Sequence, residues 1–168
     1  MLLNIFQWMD DNFPASVFLR ESSYGFAIFL TWHVVTMAAF LGLIIVMDLR
    51  LIGIGSKKTP FSEVQKTLFP WQMGFMLANS LAGVMLFYSQ PMRYYGKIYF
   101  WMKMGVMILA GLNAMYFHFT TYRSIAQWDT SIKPPTAARL AGVFSIVLWA
   151  CVLAFGRLTA YNWLTIIR

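Results

Sequence analysis

Four apolar segments, each about as long as a bilayer's hydrocarbon core is thick, constrain this chain more than any other feature. They run from about residue 24 to 47, 69 to 88, 98 to 119 and 138 to 160. A helix needs about 20 residues to cross the hydrocarbon core. The 168-residue sequence is 60% hydrophobic and only 11% charged, whereas a soluble protein carries roughly 25% charged residues. We therefore predict an all-α protein, a single integral membrane domain folded as a four-transmembrane-helix bundle.

The basic residues between these segments predict the orientation. The first connection contains Arg50, Lys57, Lys58 and Lys66, the third contains Arg123, Lys133 and Arg139, and the second has only Arg93 and Lys97. By the positive-inside rule, the first and third connections face the cytoplasm, and both termini lie on the periplasmic side of a bacterial inner membrane. Topology and the lipid bilayer then explain the net charge of +7, so we expect no nucleic-acid partner.

Residues 1–22 predict a short amphipathic helix rather than a fifth span. Asn4, Gln7 and Asp11 recur on one helical face, apolar residues form the other, and Pro14 ends the pattern. Such a helix lies on the outer membrane surface or packs over the mouth of the bundle, and the two arrangements are compatible. The first residues lack a basic n-region, so no cleavable signal peptide is expected.

Small residues spaced four apart occur in every apolar segment. The pairs are Ala38 and Gly42, Ala78 and Ala82, Ala110 and Ala114, and Ala138 and Gly142. This spacing allows helix backbones to approach closely in a membrane. It predicts a compact bundle.

The only two histidines, His33 and His118, both lie inside apolar segments. An imidazole is costly to leave unpaired in a membrane, so each needs a metal, a proton path or a hydrogen bond. His33 lies roughly 12–14 Å below the outer surface and His118 roughly 30 Å below it. The two therefore cannot ligate one haem iron together, and as metal ligands they would serve separate sites.

These depths make His33 the candidate axial ligand of a haem b. Met107 and Met85 lie at a roughly comparable depth and are candidate second ligands. The remaining methionines, of twelve in all, are explained by packing in a bundle core. Thioethers also suit Cu(I), which keeps copper as an alternative. For either histidine, hydrogen bonding across the bundle or a proton-related role is the other explanation.

Three further polar residues lie in or at the end of apolar segments. Asn79 and Asn113 are expected to form hydrogen bonds between helices, and either could orient a histidine or bind a quinone carbonyl. Asp48 lies two residues before Arg50, a spacing at which side chains on a helix do not face each other. We therefore predict an ion pair between Asp48 and Arg123 or Lys66 at the cytoplasmic rim, with a proton entry point as the alternative.

Several stretches resemble an uncharacterised family of small bacterial inner-membrane proteins. They are Ser16-Val17-Phe18-Leu19-Arg20-Glu21-Ser22, His33-Val34, Asp48-Leu49-Arg50-Leu51-Ile52-Gly53, and Gly111-Leu112-Asn113-Ala114 with His118. The chain is also distantly similar to copper-resistance membrane proteins of the D type and to small membrane b-type cytochromes. That similarity implies haem or copper. Cytochromes with four histidines place them in pairs at matched depths, and this chain departs from that pattern.

The leading functional hypothesis is a small haem-binding membrane subunit. It would pass electrons between an outer-side redox partner, such as a larger membrane or periplasmic complex, and the quinone pool. The first alternative is copper or small-solute handling across the inner membrane. The second is a non-catalytic structural subunit of a larger membrane complex. Homo- and hetero-oligomers agree with each hypothesis.

Overall fold

The computed structural model describes residues 2–12, 22, 24–54, 59–129 and 134–161, and every regular element among them is a helix. The helices are α1 (Leu2–Asn12), α2 (Gly25–Ile52), α3 (Phe61–Ser89), α4 (Pro91–Tyr95), α5 (Ile98–Tyr116), α6 (Ile125–Trp128) and α7 (Thr136–Leu158). A π-helical turn (Phe117–Thr121) and a 3₁₀ turn (Tyr122–Ser124) connect α5 to α6. The prediction of an all-helical chain is confirmed for these residues.

Three helical stretches are long and apolar enough to cross a membrane: Gly25–Ile52, Ile98–Trp128 and Thr136–Leu158. They indicate a membrane protein. Helix α3 is equally long at 29 residues, but polar residues such as Gln72 and Asn79 make it less apolar. The helix begins at Phe61, whereas the predicted apolar segment begins near residue 69. The difference is the first two helical turns, which contain polar residues and precede the apolar segment.

The four long helices form an open row rather than a closed bundle. Helix α2 packs along both α3 and α7, and α7 packs along α5, whereas α3 and α5 barely touch. Packed neighbours run antiparallel, since the start of α7 meets the end of α2. We call the end that carries α1 the α1 end, and the opposite end, where α3 and α7 begin, the Asp129 end.

Helix α1 packs across the α1 end through Phe6. The Phe6 ring lies 5.6 Å from the ring of Phe87, 4.9 Å from Tyr95 and 6.3 Å from Trp101, measured between centroids. Trp8, on the same helix, remains 61% exposed. The contact over the bundle mouth is therefore present, and an apolar surface is left for the membrane interface. Helix α1 ends at Asn12, shortly before Pro14, and Ser22 is not helical. The rest of the predicted interfacial segment, residues 13–21, lies outside the described residues.

Two features stabilise the Asp129 end: the C-terminal cap of α2 at Gly53, and a hydrogen bond between Asp129 and the start of α3. Gly53 ends α2 with a left-handed φ of 94°, and its N–H donates to the Arg50 carbonyl at 3.2 Å. A residue with a side chain is strained at such a φ, which explains the glycine. The Asp129 carboxylate accepts the backbone N–H of Ser62 at 2.9 Å, which fixes the start of α3.

The small-residue pairs contribute unequally to packing. Ala138 and Gly142 are buried where α7 crosses α2, and a Cβ atom built on Gly142 would lie 3.0 Å from the Asp48 carbonyl oxygen. Ala38 and Gly42 are instead exposed on α2. The four-residue spacing identifies a face on which a close approach is sterically allowed, but it does not specify which faces meet.

Candidate functional site

A cavity of about 350 Å³ lies between the four long helices, toward the Asp129 end. Its walls are mainly aromatic and thioether side chains, among them Phe40, Met47, Phe69, Met73, Met76, Met115 and Trp149. Its volume falls within the range of small-molecule sites, which is about 300–1,000 Å³. Because α3 and α5 both line the cavity and barely touch, the gap between them opens toward the surroundings of the bundle.

Three polar side chains of this wall have a buried oxygen atom that lacks a hydrogen-bond partner among the described residues. Asp48 is only 7% exposed. It accepts a hydrogen bond from Ser145, while its Oδ2 atom is buried without a partner. The Oε1 atoms of Gln65 and Gln72 are likewise buried and unpartnered. Among the described residues that line the cavity there is no lysine or arginine, and Gln65, Gln72, His118 and Trp149 carry N–H donors.

The predicted ion pair of Asp48 is wrong for the described residues, where its only polar contact is the hydrogen bond from Ser145. The reason is the length of α2, which continues to Ile52 rather than ending near residue 47. Asp48 therefore lies within the helix, on the face toward α7, instead of at the rim. Arg50 donates from its Nη2 atom to the Thr59 carbonyl at 2.8 Å.

His118 lies at the boundary between this cavity and a second one. It belongs to the π-helical turn after α5, is exposed, and stacks on Tyr122 with ring centroids 5.3 Å apart. The second cavity, of about 640 Å³, also contains Glu63 and Lys66. π-Helical turns occur frequently at functional sites. The sequence favoured His33 over His118 as a site residue, whereas the structure places His118, and not His33, on the walls of both cavities.

Asn113 lines the main cavity and joins two helices. Its Nδ2 atom donates to the Ala141 carbonyl at 2.9 Å. The interhelical hydrogen bond expected of an intramembrane amide is therefore present. One N–H of the Asn113 amide is used in this bond, which joins α5 to α7 at the cavity wall.

His33 lies in the half of the bundle nearer the α1 end, facing α3. Its Nδ1 atom is 3.0 Å from the backbone oxygen of Asn79. Because a carbonyl only accepts, Nδ1–H is the donor and Nε2 keeps its lone pair. The ring also lies against Gly83, where an added Cβ would be 3.1 Å from Cε1 of the imidazole. Asn79 thus orients His33 as expected, but through its backbone carbonyl.

The two proposed methionine ligands remain unassigned. Met85 lies half-buried two residues beyond Gly83 on α3, and Met107 lies half-buried on α5. Within the part of the chain that the structure describes, no three His, Cys, Asp or Glu side chains converge into a group that could hold a metal ion. The second ligand of a metal at His33 stays a prediction.

The sequence-based prediction missed Gln65 and Gln72, although α3 carries a signal for them. Phe61, Gln65, Phe69, Gln72 and Met76 follow one another at spacings of four, four, three and four residues. Residues at these spacings share one face of a helix. Two amides within an otherwise apolar stripe indicate a face turned toward a polar site rather than toward lipid.

The comparisons with known proteins give one match. The model of a family described as a family of unknown function, DUF6644, matches residues 5–162. No curated protein and no solved structure matches the chain.

Proposed function

The chain belongs to the DUF6644 family of unknown function, so any activity has to be argued from its own site, and we propose that it binds a quinone-class amphiphile. In this proposal the ligand occupies the cavity at the Asp129 end, and the protein is the quinone-facing subunit of a membrane redox system. The observation that carries it is an apolar, aromatic cavity with a few polar groups and, among the described residues, no lysine or arginine.

The lining favours a neutral ring with an apolar tail over a phospholipid. A phosphate group is normally bound by Arg or Lys, and neither is found in the part of the cavity wall that the structure describes. Aromatic rings and thioethers pack well against a flat ring. An apolar tail would leave through the gap between α3 and α5 and lie among the lipids. Quinones combine these properties.

The proposal includes four membrane spans. Helix α3 is about 43 Å long at 1.5 Å per residue, and residues 67–89 contain no charged side chain. Trp71, Leu77 and Leu81 are exposed along it, which suits contact with lipid. Arg123 and Arg139 lie near the Asp129 end and, by the positive-inside rule, support a proposed orientation with this end at the cytoplasm of a bacterial inner membrane and both termini in the periplasm.

Tryptophan fluorescence tests the proposed ligand. Trp149 lines the cavity and packs edge-on against Phe40 at 4.9 Å, so a bound quinone would quench it. Titration of the purified protein in detergent with decylbenzoquinone should give saturable quenching that is largely lost in Trp149→Phe. The control variant Trp8→Phe, at the exposed α1 helix, should keep it. Quenching that is linear and equal in all three proteins would reject the proposal.

A second function, haem b binding at His33, is favoured by one specific contact. The Nδ1–H of His33 donates to the Asn79 carbonyl, and metal-ligating histidines are commonly oriented by such a bond from the other ring nitrogen. Nε2 of His33 would then hold the iron, with Met85 or Met107 as proposed second ligand. The haem would supply a one-electron carrier between a periplasmic redox partner and the quinone site.

An absorption spectrum of the purified protein tests this second function. A Soret band, with a reduced α-band after dithionite, should appear in the native chain and be lost in His33→Ala. Absence of both bands after expression with added haem would reject it. Copper or small-solute handling and a purely structural role remain proposals that no specific contact of the described residues favours.

A further inference from the structure

We propose that His118 exchanges protons between a quinone-class ligand in the main cavity and the solvent at the Asp129 end, because it lines both cavities of this end. This inference rests on the proposed quinone-class ligand. It adds the residue that carries a proton of the quinone–quinol couple, and the end of the molecule at which that proton enters and leaves.

The second cavity connects His118 to the surroundings of the Asp129 end. Its wall includes Glu63 and Lys66, two exposed charged residues in the first two turns of α3. Gln65, Phe69 and His118 belong to the walls of both cavities, so the two cavities adjoin where α3 faces the π-helical turn. Exposed charged side chains are solvated. The second cavity is therefore the solvent-facing neighbour of the apolar one.

Two side chains on the described wall of the main cavity can act as an acid or a base, and they are Asp48 and His118. The N–H groups of Gln65, Gln72 and Trp149 donate hydrogen bonds without giving up the proton. Asp48 is only 7% exposed and does not line the second cavity, whereas His118 is exposed and lines both. An imidazole gains and loses a proton near neutral pH. His118 can therefore take a proton on one side and release it on the other.

The groups around the imidazole leave its nitrogens available. The ring stacks on Tyr122 with centroids 5.3 Å apart and an angle of 12° between the planes, so this contact uses the ring face rather than the edge that carries both nitrogens. Glu63 and Lys66 line the second cavity with His118, and Asp48 lines the main one. Among the described residues, neither ring nitrogen of His118 forms a hydrogen bond.

The proton step belongs to the interconversion of quinol and quinone, which moves two electrons and two protons. As the first electron leaves the quinol, the O–H bond nearer to His118 breaks and the imidazole accepts its proton. His118 then releases this proton to solvent through the second cavity. The remaining hydroxyl group of the one-electron intermediate is acidic and gives its proton to solvent as the second electron leaves. Both electrons go to a one-electron carrier, such as the proposed haem or an added oxidant, and reduction runs the same steps in reverse.

This route gives the couple a sidedness. In the proposed orientation the second cavity faces the cytoplasm, so protons would be exchanged there. A haem at His33 lies toward the opposite end of the bundle, so electrons would be exchanged toward the periplasm.

Stopped-flow oxidation of bound decylbenzoquinol tests the inference. The full chain in detergent, in excess over the quinol, is mixed with ferricyanide, a one-electron oxidant. His118→Ala should slow the oxidation on the order of a hundredfold at neutral pH, the usual size of a general-base effect. Added imidazole should restore most of the lost rate, because the shortened side chain lies beside the solvent-facing cavity. Loss of a merely structural contact would not be rescued in this way.

Tyr116→Ala is the matched control. It removes an exposed aromatic side chain two residues before His118, at a position outside both cavity walls. The oxidation rate should stay close to that of the native chain, and added imidazole should not change it.

The outcomes separate this inference from the proposed function. If the native chain binds no quinol, the proposed function fails. If quinol binds, but His118→Ala oxidises it as fast as the native chain or is not rescued by imidazole, the role of His118 is overturned while the proposed function stands.

The pH profile of the native chain decides the matter even where His118→Ala does not fold. The oxidation rate should rise as the imidazole loses its proton near neutral pH, beyond any rise seen for quinol in detergent alone. A profile without that rise would overturn the inference. A rise that is kept in His118→Gln and lost in Asp48→Asn would assign the proton to Asp48 and would overturn it as well.

Discussion

At the scale of single residues, burial of the Asp48 carboxylate is expected to lower the stability of the fold. Its carboxylate is buried, bonded only to Ser145 among the described residues, and faces no cation. A buried charge without a partner is costly. We expect Asp48→Asn to raise the unfolding free energy by roughly 1–2 kcal/mol, since the amide removes the charge and still accepts the Ser145 hydrogen bond. The midpoint of thermal unfolding in detergent at neutral pH measures this.

A matched variant tests the reason for that effect. Ser145→Ala removes the donor and leaves both Asp48 oxygens unbonded, so it should lower the unfolding free energy by about 1 kcal/mol. In the double variant, with Asp48→Asn, the cost of losing Ser145 should shrink. A lower midpoint for Asp48→Asn than for the native chain would show that Asp48 stabilises the fold, and would contradict the argument.

The sequence indicates which side chains need a hydrogen-bond or ion-pair partner, but it does not show which partner they find on another helix. A buried His33 with a need for a partner follows from its apolar surroundings, and α3 supplies that partner through Asn79. Asp48 was assigned to a rim ion pair, because the sequence does not reveal that α2 continues one turn past it. Gln65 and Gln72 were overlooked, since their common role appears only when α2 and α3 meet across a cavity.

At the scale of helices, the contact of α7 with α2 depends on the absence of a side chain at Gly142. An added methyl group there would lie 3.0 Å from the Asp48 carbonyl oxygen and 3.2 Å from the Leu51 Cβ atom. Neither backbone nor Cβ can move away without separating the helices. We expect Gly142→Ala to lower the unfolding free energy by about 1–3 kcal/mol, measured by thermal unfolding in detergent.

Gly42→Ala is the control, because Gly42 is exposed on α2 and nothing lies within 4 Å of an added Cβ atom. This variant should keep or slightly raise the midpoint, since alanine is the better helix former. Equal losses in the two variants would mean that helix propensity, rather than the approach of α7 to α2, sets the effect. The two glycines belong to equivalent small-residue pairs in the sequence, and only packing distinguishes them.

The long helices could be predicted from the sequence, because the length of an apolar segment depends only on residues that are neighbours in the chain. The π-helical turn that carries His118 was not, since it interrupts a continuous apolar segment without proline or glycine. The gap between α3 and α5 was not predictable either. Small residues four apart occur on both helices, but which pair of helices remains apart depends on the packing of all four.

At the scale of the whole molecule, the open row of helices separates two regions with different chemistry. His33 and its Asn79 contact lie toward the α1 end, and the aromatic cavity lies toward the Asp129 end. A protein that carries charge or protons between membrane surfaces needs sites at different depths. In the proposed function, a haem at His33 and a quinone in the cavity would lie at different depths, as such a path requires.

The topology of the molecule provides the prediction that distinguishes four spans from three. Each span reverses the side of the membrane, so four spans return the chain to the side on which it began, whereas three leave the two ends on opposite sides.

Cysteine labelling distinguishes the two topologies. With Cys151 replaced by Ala, a membrane-impermeant maleimide should label Asn4→Cys and Tyr161→Cys in intact cells. Lys66→Cys should react only after the cells are permeabilised. Labelling of Asn4→Cys but not of Tyr161→Cys would show that α3 does not cross the membrane. The cavity would then lie at the membrane surface rather than within the bilayer.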